Sequence, residues 1–215
     1  NTLSERGIRH LGVHKDSIDH RQNNIQYINS KGVRFALLNY TYGTNGMPIP
    51  KGTIVKLIDT TIIQRDIRSI CRDSVDCIIA CMHWGNEYER RANKSQRDLA
   101  KMLRREGVDI IIGSHPHVVQ PYSADSLGII YYSLGNFVSN QQWRYSDGGI
   151  VAEVEVIRCD TVDGLRYHTT PHPIWVLCPE YRVLPRYVGD TLTMSAASRS
   201  KYELFMSDTK QLLGI

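Results

Sequence analysis

Val108-Asp109-Ile110-Ile111-Ile112-Gly113-Ser114-His115-Pro116-His117 is an apolar run that stops at a glycine and delivers two histidines separated by one proline. A run this short suits a strand buried on both faces, although periodicity alone also fits a buried helical segment. Gly113 permits a sharp turn, and Pro116 withholds a backbone donor. The two imidazoles are then left at the carboxyl end of the strand, where open α/β sheets place their ligands.

A second stretch, Val75-Asp76-Cys77-Ile78-Ile79-Ala80-Cys81-Met82-His83, repeats the arrangement and is followed by Trp84-Gly85-Asn86-Glu87. About one crossover's worth of chain lies between the two runs, as parallel neighbours require. If the strands are neighbours, His83, His115 and His117 converge at one sheet edge. Three neutral imidazoles with nearby carboxylates suit zinc, manganese or iron. A histidine after a strand, taken singly, is an ordinary polar loop residue. The pairing of two matched strand ends is what points to a metal.

The chain of 215 residues is long enough to bury a core, and one domain is the expectation. Its 41% hydrophobic and 22% charged content is that of a globular protein. The net charge of +4 is spread among acids, with only the pairs Arg90-Arg91 and Arg104-Arg105, so nothing supports nucleic-acid binding. The five cysteines, Cys71, Cys77, Cys81, Cys159 and Cys178, include no Cys-x-x-Cys pair, and their odd number speaks against a disulfide framework. Cys77 and Cys81 fall inside the apolar run and read as small hydrophobes. No apolar stretch reaches the 18 residues of a membrane span.

Taken in order, residues 1–6 read as the last turns of a helix closed by Gly7, and Ile8 to Val13 as a short strand. His10 and His14, in or beside it, read as surface or satisfied histidines. Asn24–Asn29 and Val33–Tyr40 flank a Ser30-Lys31-Gly32 loop of hairpin length. Gly43 to Gly52 is a loop, and Ile54 to Ile58 a short strand. Thr61-Ile62-Ile63-Gln64 has capping-box form, and Ile63, Ile67 and Ile70 repeat at helical spacing. Asn93-Lys94-Ser95-Gln96 opens another helix, with Leu99, Met102 and Leu103 inward and Gly107 closing it. Helix, strand and histidine thus follow one another twice, an α/β signature. Gly128–Phe137 reads as a strand running into a tight turn, and Gly149–Ile157 as a half-exposed antiparallel strand; then comes an extended Leu165–Leu177 broken by Pro171 and Pro173, with His168 and His172 structural. A terminal helix is expected over Thr193–Leu213.

Three motifs carry a resemblance: His83-Trp84-Gly85-Asn86-Glu87-Tyr88, Gly113-Ser114-His115-Pro116-His117-Val118-Val119-Gln120-Pro121 and Tyr132-Ser133-Leu134-Gly135-Asn136-Phe137. In this order and spacing they resemble the CapA (poly-γ-glutamate capsule biosynthesis) family, of calcineurin-like metallophosphatase fold, from Leu3 to about Val156. The resemblance implies an α/β, metallophosphatase-like sheet sandwich flanked by helices. It implies a core over 1–157, with 158–215 as a carboxy-terminal extension of the same domain. It also implies a centre of two divalent ions (manganese, iron or zinc), with His83, His115 and His117 as ligands. His83, Glu87 and His117 become the candidate catalytic groups. Trp84, Gly85 and Asn136 become substrate-side or loop-ordering residues. The family's aspartate-bearing strand and Asn-Asn-His-type motif have no counterpart here, so the chain is expected to be the carboxy-terminal part of a longer protein.

The function this implies is metal-dependent phosphoester-type hydrolysis or transfer in capsule biosynthesis, at the cell envelope. The alternative is a non-catalytic accessory of a surface-polymer machine. Partners on either reading are an acidic polymer or membrane synthase subunits.

Overall fold

The computed structural model describes residues 2–158 and 164–215. The chain forms two compact units, one of Asn1–Trp84 with Asp98–Ile111, the other of Gly85–Arg97 with Ile112–Ile215. The fold is mixed α/β, as the sequence pattern requires.

The first unit opens with α1 (Thr2–Glu5), whose Leu3 carbonyl accepts from the Arg6 and Ile8 amides while Gly7 takes a left-handed φ of +68°. The strand expected over Ile8–Val13 shrinks to β1 (Val13–His14). A helix with almost no apolar face, α2 (Ser17–Asn23), follows it; Asp16 caps α2 by accepting from the Ile18 and Asp19 amides. His14 is neither on the surface nor satisfied: it is fully buried, and neither ring nitrogen has a hydrogen-bond partner.

The expected hairpin is present as β2 (Gln26–Ser30) and β3 (Val33–Thr41), paired antiparallel. Lys31 and Gly32, at φ +49° and +80°, form the two-residue turn whose twist suits a hairpin. Next, β4 (Ile54–Val55) pairs antiparallel with β1. The helix α3 (Thr60–Arg68) starts earlier than its capping-box pattern suggests, because the Asp59 carboxylate reaches the Ile62 amide and becomes the cap. Its spacing is as expected: Ile63, Ile67 and Ile70 are all buried, each contributing about 1.5–3 kcal/mol by leaving water.

Parallel to β3 runs β5 (Cys77–His83), which brings Thr41 opposite His83. The Val-Asp pairs at 75–76 and 108–109 have a shared role. The Asp76 carboxylate accepts from the Arg34 amide at 2.7 Å, and Asp109 accepts from the Ile78 amide at 2.7 Å. In each case the aspartate's own amide returns a bond to the same residue's carbonyl. The carboxylate therefore latches the start of one strand to the strand before it. The first unit's core also takes in Leu99, Ala100 and Leu103 of α4 (Lys94–Arg105) and Ile110 and Ile111 of β6 (Ile110–Ser114).

In the second unit, β7 (Tyr122–Asp125) and β8 (Gly128–Tyr131) form a hairpin; the strand expected to run into a tight turn before Phe137 is Gly128–Tyr131, and Gly135 turns beyond it at φ +73°. A three-stranded antiparallel sheet is ordered β11-β10-β9, from β9 (Gly148–Arg158), β10 (Leu165–Leu177) and β11 (Arg182–Pro185). Pro171 and Pro173 do not break β10. They pair with β9, while β11 covers only Ile174–Leu177, so among the described residues the far edge has no strand at the prolines whose ladder a missing N–H would interrupt. On the exposed face His172 and His168 face Glu153 and Glu155, at 2.8 and 3.7 Å. The short α5 (Arg186–Gly189) leads to α6 (Ala196–Leu213), capped by Ser195. From α6, Tyr202, Phe205 and Met206 pack with Trp175, Ile150, Ile129 and Tyr131.

Among the described residues Cys71, Cys81 and Cys178 are free thiols; Cys159 lies outside them. No helix among the described residues is long and apolar enough to cross a membrane.

Candidate metal centre

In the first unit His83 ends β5. Its carbonyl accepts from the Tyr42 amide at 2.9 Å, and its ring stacks on that of Tyr42, 5.8 Å between centroids and 12° from parallel. Trp84 follows and is buried. His83 and Trp84 therefore stand on a rigid strand end with their backbone tied to the chain after β3.

The second unit brings Glu87, His115, His117 and Asn136 together. The His115 and His117 rings lie 6.3 Å apart, and a Glu87 carboxylate oxygen is 3.9 Å from His117 Nε2. Both histidines have left-handed backbones, φ +98° for His115 and +59° for His117, conformations a non-glycine residue adopts only when its surroundings impose it. One such constraint is the Pro116 carbonyl, which accepts from the Tyr88 amide at 2.8 Å. Burial lowers the pKa of His115; the charge of Glu87 opposes this and that of His117 adds to it.

The orientation of His117 is fixed by a chain of donors and acceptors. The Asn136 side-chain amide donates to the Ser146 carbonyl at 2.8 Å and to Gln141 Oε1 at 3.0 Å, so its Oδ1 must be the atom facing His117. Nδ1 of His117 is 2.9 Å from that oxygen and must carry the proton. The other nitrogen, Nε2, is turned toward Glu87. Gln141 also donates to the Tyr88 hydroxyl at 3.1 Å, and the Tyr88 ring stacks on His117 at 5.9 Å. This closes a ring of contacts around one imidazole. Trp143, about half exposed, stands edge-on to Tyr88.

Gly85 serves this loop through close approach. Its φ is +92°, and a Cβ there would lie 2.7–2.8 Å from the Gln96 carboxamide. Gln96 is buried. It completes a reciprocal cap with Asn93 and donates to Gln120, which in turn donates to the Glu89 carbonyl. The loop carrying Glu87 is thus pinned to the start of α4. Tyr88 belongs to a motif legible in the sequence, whereas no sequence signal marked Gln141 or Trp143.

A family model described as bacterial capsule synthesis protein PGA_cap matches residues 1–141. The capsule biosynthesis protein CapA of Bacillus anthracis is 32% identical over 183 residues, covering 78% of this chain and 43% of that protein. The PGA biosynthesis protein CapA of Bacillus subtilis (strain 168) is 35% identical over 137 residues, covering 63% of this chain and 36% of that one. The chain spans less than half the length of these curated relatives. The sulfate thiohydrolase SoxB of Thermus thermophilus, solved with glycerol, overlaps 97% of this chain and 34% of its own at 13% identity, with a TM-score of 0.49. That overlap is too loose to bear on what this chain does.

Proposed function

Because the chain belongs to the PGA_cap family of bacterial capsule synthesis proteins, we propose that its His115/His117/Glu87 cluster is a divalent-metal centre for phosphoester-type hydrolysis or transfer in capsule biosynthesis. The observation that carries this reading is the fixed tautomer of His117. A histidine that donates one ring N–H to a fixed acceptor offers its other nitrogen as a ready-made, oriented ligand. Two imidazoles suit manganese, iron or zinc, with Glu87 beside them and outside the donor set.

When bound, such a cation supplies Lewis acidity at neutral pH. The protein's own groups do the rest. Asn136 keeps the proton on Nδ1 of His117, and Tyr88 covers one face of that ring. Glu87, exposed at the edge of the cluster, is placed to accept a proton from a group approaching His117. A second cation and the ligand role of His83 rest on the family resemblance. So do the extent of the core over 1–157, an acidic polymer or membrane synthase as partner, and a place at the cell envelope.

The test is to measure metal content and hydrolysis of a generic phosphodiester for the protein purified without chelator, beside a His115→Ala/His117→Ala variant and a His83→Ala variant. Metal-dependent turnover lost in the double variant is expected. Turnover that persists without both histidines would overturn the proposal.

A further inference from the structure

We propose that His10, His14 and Asp19 form a second site, in the first unit, for one divalent cation of zinc type. It lies on residues outside the three motifs that carry the family resemblance, and it does not depend on the reading of His115 and His117.

The local chain builds the cluster. Asp16 caps α2 and so turns Asp19, in the first helical turn, into the interior, where it is buried. Asp19 is then held rigidly: Oδ2 accepts from the Lys15 amide at 2.9 Å, Oδ1 accepts from the Asn23 side chain at 2.7 Å, and His10 Nε2 lies 3.0–3.1 Å from both oxygens. From β1, His14 enters the same space, and one ligand atom from each of the three residues lies within 4.8 Å of the others. Zinc bonds of about 2.0–2.2 Å set tetrahedral ligand atoms roughly 3.4 Å apart, so side-chain rotations of about an ångström close the site.

A second, independent feature points to a ligand. His14 is completely buried, yet neither Nδ1 nor Nε2 has a hydrogen-bond partner. Buried imidazoles bond through at least one nitrogen, so a wholly unpartnered one needs an explanation. A cation at this point supplies it. It would take the place of the proton between His10 Nε2 and Asp19 and give His14 the partner it lacks, with release of a proton. His20, its ring 5.0 Å from that of His14 and edge-on to it, borders the remaining side. The donor set of two imidazoles and one carboxylate, closed to solvent at His14 and Asp19, suits zinc over magnesium or calcium, which prefer oxygen ligands.

The experiment measures zinc bound to the whole chain in the His115→Ala/His117→Ala background, after equilibration with Zn²⁺ and gel filtration, with Co²⁺ absorption as a check on coordination. One zinc per chain is expected. Adding His14→Leu should remove it, as should His10→Gln, a change at a less buried position that keeps a polar side chain. Far-ultraviolet circular dichroism of each variant confirms that it is folded. No retained zinc in the background protein overturns the site, and so does zinc that survives both His14→Leu and His10→Gln. Because that background lacks the strand-end pair, failure here is distinct from failure of the capsule-enzyme reading.

Discussion

Two histidine clusters in this chain solve the same problem in opposite ways. In the second unit, His117 has one nitrogen tied to Asn136 and the other aimed at Glu87, and its ring is covered by Tyr88. In the first unit, His14 is buried more deeply and has no partner at either nitrogen, while the carboxylate beside it is fully engaged. The strand-end pair lies on a half-exposed surface, where the proposed metal centre would be open to a substrate. The interior cluster is closed to solvent and suits a cation that holds α2 against β1. Exposure and hydrogen bonding separate the chemical role proposed for one from the structural role proposed for the other, even where the side chains are the same.

The sharpest stress on this contrast is at Lys56, whose charge acts on His14 and whose ammonium lies 3.0 Å from the buried Asp66 carboxylate. Burial raises the pKa of Asp66, but the bonds from Lys56 and Tyr40 outweigh it and keep the carboxylate ionised. Lys56→Met leaves that charge with only the exposed Arg65 guanidinium, 3.3 Å away, and is expected to destabilise the first unit by about 3 kcal/mol in urea unfolding. A loss under 1 kcal/mol would show that the interior around His14 is wetter than its burial implies.

Asn136→Ala addresses the other cluster. It frees the His117 ring and should weaken metal binding there by about 10–100-fold, leaving zinc at His10/His14/Asp19 unchanged. Equal weakening at both would erase the distinction between the two clusters, and isothermal titration with Mn²⁺ and Zn²⁺ reads it.

The mildest change is expected from His14→Leu in chelator-treated protein. Removing two unpartnered buried nitrogens for an apolar side chain should raise stability by about 1–2 kcal/mol without metal, while abolishing stabilisation by zinc. A loss of stability without metal would mean that His14 has a bond the structure does not show.

Much of the second cluster was legible in the sequence. Gly113, Pro116 and an apolar run too short for most helices placed His115 and His117 at a strand end, and Asn136 fell in a motif of its own. The first cluster was not legible. Its residues are scattered over ten positions of polar sequence, and α2 has too little apolar periodicity to announce a helix, so nothing showed that Asp19 would turn inward. The same blindness applied to Pro171 and Pro173. Whether a proline breaks a strand depends on which edge is paired, and that depends on where β11 ends.

The sequence by itself determined the α/β alternation, the buried faces of α3 and α4, and the two Val-Asp-led strands. All of these follow from local periodicity and from side chains bonding to nearby backbone. Only the tertiary structure decided which polar groups keep their partners away from water. That is a property of packing between segments distant in sequence, and it fixed the proton of His117 on Nδ1 and left His14 with no partner at all.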